Sequence, residues 1–167
     1  ASCCVRSSCS LFFSPALFLG PAWAFWGLGG GGYWGWDPVE ISALLPWLSG
    51  TAFLHAVMIQ EKRAMFKQLN MVLIILTYDL VIFGTFLTRS GVLSSVHSFA
   101  QSAIGPLFFV FIAVTLSVSL GLLIHRWSDL KSKQVLTSLF TREGLILFSV
   151  LLFLGILVTS FWGVLFP

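Results

Sequence analysis

Charge is scarce in this sequence. Only 9% of its 167 residues are Asp, Glu, Lys or Arg, against about a quarter in a soluble domain. With 57% hydrophobic residues and a mean hydropathy of +0.98, the chain lacks the polar groups to cover a globule. A soluble domain is excluded, and lipid is left as the solvent. The nine basic and six acidic residues are scattered, which excludes a nucleic-acid footprint. Cysteine is confined to Cys3, Cys4 and Cys9; their spacing fits no zinc or redox motif, and they read as incidental thiols. No stretch alternates apolar and polar residues, which excludes a membrane β-barrel. Gly27-Leu28-Gly29-Gly30-Gly31-Gly32 formally matches G-x-G-x-x-G. No strand precedes it and a membrane span follows, so a dinucleotide site is excluded. The chain begins without Met and ends on an apolar run, so it is expected to be an internal portion of a longer protein.

What is present is long apolar runs. A membrane-spanning helix needs about 20 apolar residues. Ile41 to Ile59, Leu69 to Thr88, Ile104 to Ile124 and Leu145 to Phe166 meet that length. A fifth run, Leu11 to about Trp26, is shorter and interrupted by Pro15 and Pro21. The expected fold class is an all-α polytopic transmembrane helical bundle of about five spans, the first truncated or broken. Alternating spans put Arg6, Lys62, Arg63, Lys67, Arg126, Lys131, Lys133 and Arg142 on one side, and Arg89 alone on the other. By the positive-inside rule the basic side is the cytoplasm, or the matrix in an organelle. The loops 27–40 and 89–105 then share the outer face, where function is expected to sit.

Asp37-Pro38-Val39-Glu40 writes a helix start: an N-cap acid, a proline at the first helical position and an acid at the capping-box position. Pro46 is expected to kink the helix that follows. Before it, Trp23, Phe25, Trp26, Tyr33, Trp34 and Trp36 surround the glycine run. Single Trp and Tyr residues belong to interfacial belts. Aromatics packed round glycines and followed by an acid instead suit a planar apolar ligand, which needs stacking faces and close backbone approach. His55 lies seventeen residues beyond Pro38, about 26 Å along a helix and so in the inner half of the bilayer. An ionisable residue there is either functional or a neutral imidazole bonded to a neighbouring helix. His97 lies in the outer loop after Arg89. His55 and His97 stand at such different depths that they do not ligate one iron together; if both bind haem, there are two haems. His125 reads as an interface residue. Asp79 is mid-span, where a carboxylate costs about 2.5–3.5 kcal/mol unless paired or protonated. It is expected to face the bundle, for a structural hydrogen bond or a proton role.

At these residues the chain resembles the CcmF family, the large membrane subunit of cytochrome c maturation systems. Gly31-Gly32-Tyr33-Trp34-Gly35-Trp36-Asp37-Pro38-Val39-Glu40 is similar to the "WWD" signature of haem-handling proteins. That signature is shared with the CcmC and CcsA families. Pro46-Trp47, Gly50 through His55, Gln60 through Arg63, Gly84 through Val92, and His97 through Ala100 point to CcmF. The similarity covers residues 23–167, with residues 1–10 unmatched; within the transmembrane region 11–167 lie the WWD outer loop 23–40 and the outer His loop 89–105. Gly27, Gly30 and Ile41 depart from the family pattern.

The resemblance implies two haems. A transient one sits at the WWD loop, with Tyr33, Trp34, Trp36 and Asp37 forming the surface. There His97 matches one iron ligand, and Arg89 is placed to pair with a propionate. A b-type haem sits within the membrane, with His55 matching one ligand. The opposite ligands are expected before Ala1 and beyond Pro167. The implied activity is that of a haem lyase that presents haem for thioether attachment to apocytochrome c. Its implied partners are the haem chaperone CcmE, apocytochrome c, CcmH-type thiol-handling proteins and the lipid bilayer. The implied location is a bacterial inner (cytoplasmic) membrane, ahead of the mitochondrial inner membrane. A haem or proton transporter or channel subunit, for which Asp79 is the best sign, and an inactive docking fragment remain open. The topology is checked by introducing Ser95→Cys and Ser132→Cys singly. An impermeant maleimide is expected to reach the two from opposite sides, and reaction of both from one side would sink it.

Overall fold

In hydrocarbon each unpaired backbone polar group costs several kcal/mol, so a spanning segment must close its hydrogen bonds on itself. The computed structural model follows that rule; it describes residues 14–23, 25–27, 37–90, 105–131 and 141–165. Among them are four long helices: α1 (Pro38–Arg63), α2 (Lys67–Ser90), α3 (Gly105–His125) and α4 (Arg142–Leu165). All four are long and apolar enough to cross a membrane, and the described residues contain no strand. The chain is therefore all-α and polytopic, and each of the four long apolar runs has become one helix.

The shorter fifth run is helical over 14–23 and 25–27. Contrary to the reading of Pro21 as a break, the helix runs through it. A proline removes one hydrogen bond, a loss that membrane helices absorb through neighbouring groups and local adjustment. This stretch leans on α1: the Trp47 indole N–H donates to the Ser14 hydroxyl at 2.9 Å. The Phe18 ring meets Trp47 edge-on at 6.2 Å.

Helix α1 starts where its sequence says it should. Asp37 is the N-cap, with an extended backbone, and accepts from the Val39 N–H at 3.3 Å. The helix continues through Pro46 to Arg63. It ends in a left-handed cap at Ala64, φ 53°, whose N–H donates to the Gln60 carbonyl at 2.8 Å. Phe66 is also left-handed, φ 60°. Two such residues reverse the chain within three positions and set α2 antiparallel to α1, with Met65 buried between them.

Helix α1 lies between α2 and α4, while α2 carries α3 on its other flank. Three buried clusters stack along the bundle. At one end are Ile41, Leu87 and Val164. In the middle are Leu45, Leu48, Leu80 and Leu157. At the other end are Ala52, Ala56, Leu73 and Val150. Each level draws one or two residues from α1, α2 and α4. Phe83 and Phe161, 5.5 Å apart, bring α2 and α4 into side-chain contact. Helix α3 is different: only Gly105 and Leu123 are buried, and Leu107, Val110, Val114, Val118 and Leu122 are all exposed. A helix apolar on every face belongs in lipid. The helix ends sort by charge. Lys62, Lys67, Arg126, Lys131 and Arg142 all stand at the ends of helices or in the turns at one face of the bundle, and Arg89 stands at the other.

Helices α1 and α2 approach closely at Gly84. Pro46 has no N–H to donate to the Ser42 carbonyl, four residues earlier. That carbonyl faces Gly84, where an added Cβ would lie 3.4 Å from it and 3.5 Å from the Ser42 hydroxyl. One level deeper, the Thr77 hydroxyl lies 2.9 Å from Ser49 Oγ and 2.7 Å from the Leu73 carbonyl of its own helix, and Ser49 donates to the Pro46 carbonyl at 3.1 Å. Small residues that let backbones approach, with hydroxyls bonded across the seam, are the usual means of helix association in lipid. Gly84→Leu is expected to lower the thermal midpoint of the detergent-solubilised protein, the strain being about 1–3 kcal/mol. Gly121→Leu, at a position with open space around it, is expected to leave the midpoint unchanged.

Candidate functional site

One functional candidate, His55, is held by the helix that carries it. Trp47, Thr51 and His55 follow at four-residue intervals and so share one face of α1. The Thr51 hydroxyl donates to the Trp47 carbonyl at 2.7 Å. His55 Nδ1 lies 2.8 Å from the Thr51 carbonyl oxygen. A carbonyl only accepts, so Nδ1 must carry the proton. In a neutral imidazole the lone pair is then on Nε2. An N–H held by a backbone carbonyl is how metal-ligating histidines fix tautomer and ring orientation. The Phe153 ring of α4 lies 5.6 Å from the imidazole at a 46° tilt, and limits its rotation.

Depth follows from the clusters. His55 falls between Ala52 and Ala56, both in the cluster farthest from the Asp37 end. Among the described residues no group of three His, Cys, Asp or Glu side chains is gathered for a metal ion. Among the described residues His55 thus stands as a single nitrogen donor.

The opposite end holds Asp37 and Arg89. Asp37 is partly buried and engaged as a cap. Arg89 is exposed in the last turn of α2, where its charge also suits the helix dipole. The bundle thus sets Asp37 and Arg89 together at one end, well away from His55. Trp23, Phe25 and Trp26 are exposed. Tyr33, Trp34, Trp36 and His97 lie outside the described residues. His125, read as an interface residue, is exposed in the last turn of α3.

Asp79 faces the bundle, as expected, at 8% exposure. Thr115 of α3 donates to its Oδ1 at 3.3 Å. Two partners carried no signal in the sequence: Thr115, set 36 residues from Asp79 on another helix, and Phe153. Thr51 did carry one, a hydroxyl residue four positions before a mid-span histidine. Asn70, buried at the start of α2, donates to the Gln60 side chain across the turn. This polar contact ties the inner ends of α1 and α2 together.

A multi-pass helical membrane protein with a half-buried mid-helix histidine held through Nδ1, and an acid-capped helix that follows a Trp-rich stretch of sequence, is the class this structure defines. The sequence profile of the family described as "Cytochrome C assembly protein" matches residues 7–97, more than half of the chain, and the chain belongs to that family. Relatives include "Cytochrome c-type biogenesis protein CcmF" of Escherichia coli, 40% identical over 158 residues, which are 94% of this chain and 24% of the relative. CcmF of Haemophilus influenzae is 39% identical over 158 residues, again 94% and 24%. "Cytochrome c-type biogenesis protein CycK" of Bradyrhizobium diazoefficiens is 39% identical over the same length and shares. The resemblance read from the Trp-rich loop is thus met by relatives of that name. The chain spans about a quarter of their length. No solved structure matches it.

The Asp37 cap is separable from its charge. Asp37→Ala is expected to cost about 1 kcal/mol and Asp37→Asn only a small part of that, since Asn and Asp cap equally well. The measurement is the thermal midpoint of the two variants at one pH.

Proposed function

We propose that this chain is a haem-handling part of a c-type cytochrome maturation protein, with one haem site inside the membrane and one at its outer face. The single observation that carries the reading is the His55 Nδ1 bond to the Thr51 carbonyl, which leaves Nε2 free to ligate iron. Family membership supports it. Bound b-type haem would supply one-electron chemistry at that level of the membrane. The chain's own part is to hold His55 in one tautomer, to limit its ring with Phe153, and to keep water from it with the apolar side chains of α1, α2 and α4.

At the outer face, Tyr33, Trp34 and Trp36 supply stacking faces after the glycine run. Asp37 starts α1 there, Arg89 provides a cation for a propionate, and His97 is the iron ligand. The work at that site is orientation: haem received from the chaperone CcmE is presented to the thiols of apocytochrome c, which CcmH-type proteins keep reduced. The lyase activity, these partners, and the inner membrane as location belong to this same proposal.

In the full-length chain, His55→Ala is expected to remove the b-type haem spectrum from purified, folded protein. His97→Ala is expected to leave that spectrum and to weaken capture of haem at the outer face. Loss of every haem signal from either substitution alone, in stably folded protein, would overturn the two-site reading.

A further inference from the structure

At the basic face of the bundle, the start of α2 and the end of α3 are tied by one hydrogen bond. The Gln68 side chain donates to the Trp127 carbonyl at 3.1 Å. Lys67 and Arg126 are the chain neighbours of these two residues, so the bond brings two cations to one place. A tight turn follows. The Asp129 and Leu130 N–H groups donate to the Arg126 carbonyl at 3.1 and 3.3 Å, and the Lys131 N–H donates to the Ser128 carbonyl at 3.4 Å. The turn keeps a third cation, Lys131, close to Arg126. Lys67, Arg126 and Lys131 are all exposed, and so is Asp129, the acid of this turn. Helix α2 adds to the positive side: its first turn holds no acid, so the positive end of its dipole is unopposed. Trp127 is half exposed beside the cations, and a Trp at the end of a spanning helix belongs at headgroup depth.

Below this cluster α2 and α3 part. The groove between them begins at Val72 and Leu123 and runs to Phe83 and Ile112, about 16 Å of helix. Leu123 is one helical turn from Arg126, and Val72 is less than two turns from Lys67. The wall is Val, Ile, Leu and Phe apart from Asp79, whose carboxylate is buried against Thr115. The surface offered to an occupant is therefore apolar along its length and basic at one end.

The two features together name the occupant. The groove alone would take any tail, and the cations alone would take any anion. A neutral lipid gains nothing from three cations set beside one acid. A water-soluble anion gains nothing from an apolar groove that starts below headgroup depth. An amphiphile with an anionic phosphodiester head and acyl chains satisfies both. The Arg126 fork can take two phosphate oxygens, Lys67 and Lys131 act as point charges, and each basic residue at such a surface adds to the attraction. We infer that the basic end of the α2–α3 seam is a binding site for an anionic phospholipid, with its phosphate between Lys67 and Arg126 and one acyl chain along the groove.

The test uses the full-length chain in phosphatidylcholine vesicles. It is photolabelled with phosphatidylglycerol carrying a mid-chain diazirine, or with phosphatidylcholine carrying the same chain, and adducts are mapped by mass spectrometry. Phosphatidylglycerol is expected to label residues 72–83 and 112–123 about tenfold above phosphatidylcholine. Lys67→Gln with Arg126→Gln is expected to bring the two lipids level and leave the phosphatidylcholine adducts as they were. Asp129→Asn removes the acid and no cation, so it leaves the basic residues that orient the chain in place. It is expected to raise the phosphatidylglycerol preference about threefold. Arg142→Gln, at the same face but on α4, is expected to leave the preference unchanged. Equal labelling by the two lipids in the unsubstituted protein would overturn the inference. So would a preference unmoved by Asp129→Asn and by loss of Lys67 and Arg126 together. An equal fall with Arg142→Gln would overturn it too, since the preference would then belong to the whole basic face. Adducts absent from both groove segments would also overturn it, and would mean that another helix fills the groove. None of these readouts depends on haem at His55, so this site stands or falls apart from the function proposed above.

Discussion

The seam between α1 and α2 is the constraint on which the rest of this structure depends. In lipid there is little hydrophobic gain from pressing one apolar helix against another, and association rests on close packing and hydrogen bonds. Pro46 breaks one bond of the α1 ladder and frees the Ser42 carbonyl. Gly84 lets α2 come up against that carbonyl, and the Thr77 and Ser49 hydroxyls meet at the level below. The proline and the glycine meet at one place on the seam, where a side chain longer than a Cβ at position 84 would run into Ser42. Once the seam is fixed, α4 completes three stacked clusters with the same two helices. Their order along the bundle sets the depth of every other group.

That order separates two working levels. The end that carries Asp37 and Arg89 is polar and capped. The level of Ala52 and Ala56 holds His55, with the hydroxyls of Thr51 and Ser149 beside it, each bonded within its own helix. Five helical turns of α1 lie between them. Both levels lie along the same α1–α2–α4 packing, so their separation is set by the length of α1.

How much of this was legible in the sequence depends on how local each feature is. The N-cap at Asp37, the proline that follows it and the four long helices are written in adjacent residues, and the structure has them all. The division of basic residues was legible because it needs only span counting. Pro21 was misread, since a proline marks a break reliably in water and poorly in a membrane. The stacking of α1 between α2 and α4, and the isolation of α3, could not be read. Runs of Leu, Val and Phe on all faces carry no amphipathic stripe to say which side is buried. The tautomer of His55 was half legible. A threonine four residues before a histidine predicts the shared face, but the bond is made by the main-chain carbonyl, which every residue has.

His55 and Asp79 show the two ways in which this bundle treats an ionisable group in lipid. His55 is satisfied within its own helix, so its remaining nitrogen is a directed lone pair at no further cost to the fold. Asp79 depends on another helix, and its one partner is a hydroxyl already within reach of two carbonyls of α3. Helix α3 is the element least buried in the bundle, so the contact to Asp79 is also the one most exposed to rearrangement. A group whose bonding is closed by the weakest-packed helix responds to whatever occupies the space beside it. A group whose bonding is closed by its own helix does not. The physical expectation follows from that contrast: constancy at His55, whose ring is held by its own helix, and responsiveness at Asp79, whose one bonded oxygen depends on α3.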